Sequence, residues 1–157
     1  LKCAKYISSK HFLMLLPDDL IIKKNCSKEM ISLYNKKKSS IIASKRVNKK
    51  EVSRYGILSI KNKKKNFFRI TDVIEKPSIK LAKSNFAVIG RYILPKKIFN
   101  ELKKINKGQG GELHITDAIR RLIIKNEKFY GNIFNGKYLD CGTLEGYVNS
   151  TRAITKG

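Results

Sequence analysis

The sequence predicts an α/β fold, a mixed sheet flanked by helices, on three observations. Phe12–Leu16 is a continuous apolar run of five, too short for a typical globular helix and without a polar face, so it predicts a strand buried on both sides. Phe86–Leu94 is a second strongly apolar strand. Between and beyond these two, strand-like stretches alternate with segments of helical spacing, which builds a sheet with helices packed on it. The two apolar strands are expected at the centre. At 157 residues the chain is expected to form one domain that buries about two thirds of its surface.

Taken in order, Leu1, Ala4 and Ile7 recur at spacings of three, as in a helix tail. A turn at Ser8–His11 leads into the Phe12 strand, which stops at Pro17, Asp18 and Asp19. Ser27 is a candidate cap for a helix through Tyr34, with Met30, Ile31 and Tyr34 on its buried face. Strands are expected at 39–44, 55–60 and 67–74, the last stopped at Glu75-Lys76-Pro77 because proline cannot donate to a ladder. Residues 36–65, although lysine-rich, are expected to be two strands and their loops. Gly90, inside the second apolar strand, predicts a bulge or a close backbone approach. Pro95 is expected to begin a helix over 95–106 with Ile98, Leu102 and Ile105 inward. Lys107–Gly111 is a loop, and Thr116 or Asp117 caps a helix to about Lys125. A strand at 129–134 turns at Gly136 into Lys137–Cys141, and Thr143 caps a last helix to about Ile154.

Lys and Arg outnumber Asp and Glu by 35 to 12, a net charge of +23 that attracts phosphates of any kind. The lysines come in short dispersed runs without interleaved aromatics, which favours a solvated basic surface over a nucleic-acid patch. Cys3, Cys26 and Cys141 form no CxxC, so reduced thiols and a cytoplasmic location are expected. No apolar run approaches the roughly 20 residues of a membrane span, and no signal peptide is visible. The chain begins at Leu1 within a helix-like stretch, which predicts further sequence upstream.

Four strand ends carry polar groups: Asp18-Asp19, Tyr55-Gly56, Glu75-Lys76 and Asp140. The three carboxylate sites are expected to converge at the carboxyl edge of the sheet, where open α/β sheets bind ligands. Pro17-Asp18-Asp19 also fits a solvated turn, and Glu75-Lys76 a surface ion pair. Mg²⁺ is usually held by one or two carboxylates with phosphates and waters completing its shell, and two Asp side chains on separate strand ends suit it. Lys76 precedes Pro77, so an extended backbone is expected there, with the ammonium free to meet a phosphate. Glu75 suits hydroxyl recognition. Lys107–Gly111 lacks the G-x-x-x-x-G-K-[ST] pattern and is no P-loop. His11 and His114 are expected to be structural. Cys141 has no candidate base beside it.

LPDDLI, YG, VIEKP, SNFAVIGRYIL, GGELHITDAI and YLDCGTLEGYV occur in this order. Together they closely resemble the bacterial UTP–glucose-1-phosphate uridylyltransferases (UDP-glucose pyrophosphorylases), members of the sugar-phosphate nucleotidyltransferases. The resemblance covers nearly the whole chain, to about Tyr147. It implies a nucleotide-diphospho-sugar transferase-like fold and an enzyme that makes UDP-glucose and pyrophosphate from UTP and glucose 1-phosphate with Mg²⁺. By motif, Asp18 and Asp140 correspond to the metal ligands, with Asp18, Lys76 and Asp140 as the catalytic set. Tyr55, Gly56, Glu75 and Asn85 correspond to the sugar-binding set. Asp19 is left out of the metal set. Glu112 and Thr116-Asp117 fall to the sugar side or to helix capping.

The family's glycine-rich loop G-x-G-T-R-x-x-P-x-T-K, which holds the nucleotide, has no counterpart here, and His114 stands where Gln is usual. The expectation is therefore a single partial domain, residues 1–157, carrying the metal and sugar-phosphate elements. A separate N-terminal half and a homo-oligomer remain open as partners; a specific nucleic acid and a membrane are not expected. Two alternatives stand beside this reading: a non-catalytic remnant or subunit needing that separate half, motivated by the missing loop, and a basic nucleic-acid-binding module, motivated by charge alone.

Overall fold

The computed structural model describes residues 1–108 and 111–155. Gln109 and Gly110 of the expected loop, and the last two residues, lie outside the described residues. Eight strands follow in chain order: β1 (His11–Leu15), β2 (Asp19–Ile22), β3 (Ser40–Arg46), β4 (Gly56–Lys61), β5 (Phe67–Glu75), β6 (Phe86–Pro95), β7 (Phe129–Ile133) and β8 (Lys137–Asp140). The helices are α1 (Cys26–Lys37), α2 (Ile98–Leu102), α3 (Ile115–Ile124) and α4 (Leu144–Thr155), with short 3₁₀ helices at Lys2–Tyr6 and Lys49–Arg54. The fold is the expected mixed α/β sheet flanked by helices.

Six strands form one sheet in the order β1-β6-β3-β7-β5-β4, in which only β3 and β7 pair in parallel. β6 is central, as predicted. β1 is not. It pairs only with β6, and Leu13 and Leu15 are 39% and 51% exposed, so the Phe12 strand is an edge strand rather than one buried on both sides. Five apolar residues specify a strand but not how many neighbours it has. Gly90 fulfils both expectations: the β3–β6 register slips between Ile42 and Ala43, opposite Gly90, and the backbone of Gly90 is closely approached.

Side-chain alternation divides the core into two layers. Ile41, Ala43, Ile89 and Ile93 pack against Cys26, Met30 and Leu33 of α1. Ile42, Tyr92, Leu94 and Phe129 pack on the other side with Ile98, Ala118, Ile119 and Leu122 of α2 and α3. Each fully buried aliphatic side chain contributes about 1.5–3 kcal/mol.

Several local expectations change. Asn25, not Ser27, caps α1 by accepting the Lys28 N–H at 2.9 Å, and Ile31 faces solvent. Pro95 ends β6 in register with His11, so the next helix starts at Ile98 and is one turn long. His114, rather than Thr116 or Asp117, occupies the cap position of α3. Thr143 caps α4 as expected, accepting the Gly146 N–H at 3.0 Å. The 137–141 strand leaves the main sheet and pairs with β2, Asp19 opposite Asp140.

One consequence of the register positions the site. β3 holds one side of β6 throughout. The other side is shared: β1 pairs with residues 91–95, and β4 bridges at Ile57–Ala87. Val88–Gly90 lie in the fork between the end of β1 and the start of β4. The β2–β8 ribbon approaches this fork.

Candidate metal and sugar-phosphate site

The fork is closed by Asp19. Its Oδ2 accepts the Gly90 N–H at 2.7 Å, and its Oδ1 accepts the Tyr138 hydroxyl. A Cβ on Gly90 would lie 2.2 Å from Asp19 Oδ2, so only glycine admits this contact. Burial pushes the Asp19 carboxyl up, and the Tyr138 and Gly90 donors pull it back. Burial and the Asp19 contact push the Tyr138 phenol up. Both Asp19 oxygens thus serve to seat the ribbon on β6. Arg91 adds two bonds from its guanidinium, to the carbonyls of Leu16 and Gly90.

The seated ribbon brings Asp18 and Asp140 together. The Asp18 carbonyl accepts the Cys141 N–H at 2.8 Å, which ties the Pro17–Asp18 turn to the end of β8. Asp18 Oδ2 and Asp140 Oδ1 lie 3.0 and 3.3 Å from the point where a Cβ on Gly142 would stand. Asp140 Oδ1 accepts the Gly142 N–H, and its Oδ2 is 3.9 Å from the Arg54 guanidinium. Asp18 is exposed and no hydrogen bond occupies its carboxylate among the described residues. Two hard oxygen donors, with lone pairs to spare and no side chain between them, fit a small divalent cation that takes its other ligands from phosphates and water. Among the described residues no three His, Cys, Asp or Glu side chains gather as a closed protein cage.

Glu75 and Lys76 end β5 beside the start of β4. Glu75 is opposite Gly56, and the Lys76 N–H donates to the Tyr55 carbonyl at 3.0 Å. The Tyr55 N–H donates to Val52. Thr116, 3% exposed, donates its hydroxyl to Glu75 Oε2 at 2.8 Å. A Cβ on Gly56 would stand 2.9 Å from Thr116 Cγ2 and 3.0 Å from Glu75 Oε2, so Gly56 makes room for the pair. Of the two readings left open for Thr116, the sugar side or a helix cap, its hydroxyl serves Glu75, and His114 holds the cap position.

Lys76 is not extended. Its φ is +41°, in the left-handed region, although Pro77 follows, and its N–H donates to the Tyr55 carbonyl just beyond the β4–β5 ladder. Such a conformation in a non-glycine residue costs about 1–3 kcal/mol and clusters at functional sites. The Lys76 ammonium is exposed and has no ion-pair partner among the described residues.

The two halves of the site adjoin through Arg54 and Tyr55, the former reaching Asp140 and the latter bonded to Lys76. Buried Tyr92 lies in the fields of Asp19, Glu75 and Asp18 together. The carboxylates follow the ends of β1, β5 and β8 as predicted, but β1 and β5 run in opposite senses. They meet at the fork along β6 rather than on one carboxyl edge of the sheet. Arg54 was not singled out from the sequence; no motif marks it, and the 3₁₀ helix that presents it was not foreseen.

Asn85 stands apart. Its amide donates to the Val47 carbonyl at 2.7 Å and accepts from Arg46 at 3.3 Å, tying the end of β3 to the start of β6. Glu112 is exposed, and its carbonyl accepts the Gly108 N–H. His11 contacts the Tyr34 hydroxyl at 3.3 Å, remote from the carboxylates, and the three cysteines form no disulfide.

The nucleotidyl transferase family model matches residues 1–157. The UTP–glucose-1-phosphate uridylyltransferase of Pseudomonas aeruginosa (strain PAO1) is 36% identical over 148 residues, 92% of this chain and 53% of its own length. The enzyme of that name from Mycoplasma genitalium is 34% identical, over 92% of this chain and 50% of its own length. The chain thus spans about half the length of the curated relatives it matches. A crystal structure of UDP-glucose pyrophosphorylase complexed with UDP-glucose superposes with a TM-score of 0.91 at 38% identity, over 98% of this chain and 59% of that one. UTP-bound UGPase from Acinetobacter baumannii gives 0.80 at 28%, over 97% and 53%. No helix among the described residues is long and apolar enough to cross a membrane.

Proposed function

The chain belongs to the nucleotidyl transferase family, and we propose that it forms the metal- and sugar-phosphate-handling part of a cytoplasmic UTP–glucose-1-phosphate uridylyltransferase. In that reaction a phosphate oxygen of glucose 1-phosphate attacks the α-phosphorus of UTP. The bond from the α-phosphorus to the oxygen bridging to the β-phosphorus breaks. UDP-glucose forms and pyrophosphate leaves. No covalent enzyme intermediate is needed, so the protein's work is positioning and charge stabilisation.

Asp18 and Asp140 are the residues to hold Mg²⁺, which when bound neutralises charge developing on the transferring phosphoryl group. The Arg54 guanidinium, 3.9 Å from Asp140 Oδ2, stands beside the carboxylate pair. Glu75, aimed by Thr116, accepts from sugar hydroxyls. Lys76 offers its ammonium to the sugar phosphate, and the tight backbone of Tyr55 and Lys76 fixes where that ammonium starts. Asn85 is the least supported member of the sugar set, since both ends of its amide are engaged.

The observation that carries the proposal is the convergence of Asp18 and Asp140 on Gly142, joined through Arg54 and Tyr55 to Glu75 and Lys76. A pyrophosphate-release assay with UTP, glucose 1-phosphate and Mg²⁺ tests it, on the chain alone and with an N-terminal segment of a relative supplied in trans. Positioning can supply about 7–11 kcal/mol of barrier reduction, and holding UTP in line requires a nucleotide loop that these residues lack. Little turnover by the chain alone and rescue in trans are expected. Robust turnover by the chain alone would overturn this division of labour; inactivity in both, without glucose 1-phosphate binding, would overturn the proposal.

A further inference from the structure

We propose that Tyr138 determines which cation the Asp18–Asp140 site prefers. By holding Asp19 in place, its hydroxyl keeps a third carboxylate out of the cation's shell. The two-carboxylate site that remains favours Mg²⁺ over Ca²⁺. This inference rests on the reading of Asp18 and Asp140 as the metal pair.

Three aspartates crowd this corner of the fold. Asp18 and Asp19 are consecutive, and Asp19 stands directly opposite Asp140 in the β2–β8 register. Directly opposed residues of an antiparallel pair project from one face with Cβ atoms about 4.5–5.5 Å apart, and like charges there repel. A divalent cation could relieve that repulsion by drawing in all three carboxylates. The fold relieves it differently. Asp19 turns to β6, where its Oδ2 accepts the Gly90 N–H at 2.7 Å and its Oδ1 accepts the Tyr138 hydroxyl. Asp18 and Asp140 meet at Gly142 without it, since the three atoms nearest the Cβ position there all belong to those two residues. Among the described residues no three His, Cys, Asp or Glu side chains gather to hold a metal.

The two donors to Asp19 do different work. The Gly90 N–H belongs to the backbone of the central strand, and the Gly90 carbonyl accepts the Leu16 N–H at 2.8 Å. Leu16 and Asp19 thus anchor both ends of the turn that carries Asp18. The Tyr138 ring is placed without its hydroxyl: it packs beside the α1-side core, and the Lys45 ammonium lies 5.3 Å from its centroid. What the hydroxyl adds is occupancy of Asp19 Oδ1, the oxygen otherwise free to turn to a cation.

The number of carboxylates then decides the ion. Mg²⁺ keeps an octahedral shell of waters and phosphate oxygens with one or two carboxylates. Ca²⁺ takes roughly six to eight oxygens in a flexible shell and accepts further carboxylates. A released Asp19 therefore strengthens Ca²⁺ binding more than Mg²⁺ binding.

The test is displacement of Mn²⁺ from the ¹⁵N-labelled chain by Mg²⁺ and, separately, by Ca²⁺, with glucose 1-phosphate present. Recovery of the Asp18, Cys141 and Gly142 amide signals reports the displacement. Tyr138→Phe keeps the ring and the net charge and removes only the hydroxyl. It is expected to raise Ca²⁺ affinity relative to Mg²⁺ by about tenfold or more. Adding Asp19→Asn keeps an oxygen for the Gly90 N–H but removes the third carboxylate, and should return the ratio to within about twofold of the unmutated chain. Tyr138→Leu, which also lacks the hydroxyl, replaces the phenylalanine variant if that one does not fold. A ratio unchanged without the hydroxyl, or still raised in the double variant, would overturn the inference and leave the metal pair standing. No local Mn²⁺ broadening in the unmutated chain would overturn the metal pair itself, and the inference with it.

Discussion

Thr116 donates its hydroxyl to Glu75 Oε2 over 2.8 Å, linking the first turn of α3 to the end of β5. The bond fixes the carboxylate that the proposed site aims at the sugar. Thr116→Val keeps the methyl contact with Gly56 and removes the donor. A loss of about 0.5–1.5 kcal/mol in urea unfolding is expected, with weaker glucose 1-phosphate binding, and Thr116→Ser should restore both. Unchanged sugar-phosphate affinity in the valine variant would remove Thr116 from the site.

Gly90→Ala should destabilise the chain by about 1–3 kcal/mol through overpacking against Asp19 and Leu16, which lie 2.2 and 2.7 Å from the added carbon. For a domain of this size each kcal/mol lowers the melting temperature by about 2–4 °C. The Asp18–Asp140 pair depends on the same contact, so calorimetry and metal binding should fail together.

Much of this architecture was legible in the sequence because it rests on local chemistry. Gly90 inside an apolar strand announced a close approach, and Asp19 supplies it. The strands other than β2, which was not foreseen, and α3 followed from apolar runs and periodicity. What was not legible depends on neighbours that periodicity cannot name. Phe12–Leu16 has the composition of a central strand and lies at an edge. Thr116 has the position of a cap, yet its hydroxyl turns inward to Glu75. The sequence rule before Pro77 favours an extended Lys76, yet its φ is +41° where the chain leaves β5. Asp18 and Asp140 were legible as strand-end carboxylates and the resemblance paired them, but their meeting depends on β2 pairing with β8.

Glu101, buried at the α2–α3 contact, accepts from Lys125 and from Arg121 Nε, the latter at 2.9 Å. These bonds hold its carboxyl below the usual range. The unfolded chain therefore binds the proton first as pH falls. The stability Glu101 contributes is complete above its ordinary value near 4.5 and is lost as pH drops through its lower folded value. The urea midpoint should fall from pH 6 to pH 3, and Glu101→Gln should flatten part of that slope. An identical slope in the variant would contradict the assignment.

Lys76→Ala should weaken glucose 1-phosphate more than UTP in the complemented enzyme. A charge-assisted phosphate contact is worth about 1.5–3 kcal/mol, a tenfold to hundredfold effect. Equal losses for both substrates, measured by initial rates, would contradict the assigned role.

The central claim is that Asp18 and Asp140 together hold a divalent cation beside Gly142. Paramagnetic broadening by Mn²⁺ tests it most directly, in the ¹⁵N-labelled chain with glucose 1-phosphate present. Added Mn²⁺ should first broaden the amides of Asp18, Cys141 and Gly142, and Mg²⁺ should reverse the effect. Asp18→Asn and Asp140→Asn should each abolish this local broadening while leaving the rest of the spectrum in place. Broadening centred elsewhere, or unchanged in both variants, would contradict the account.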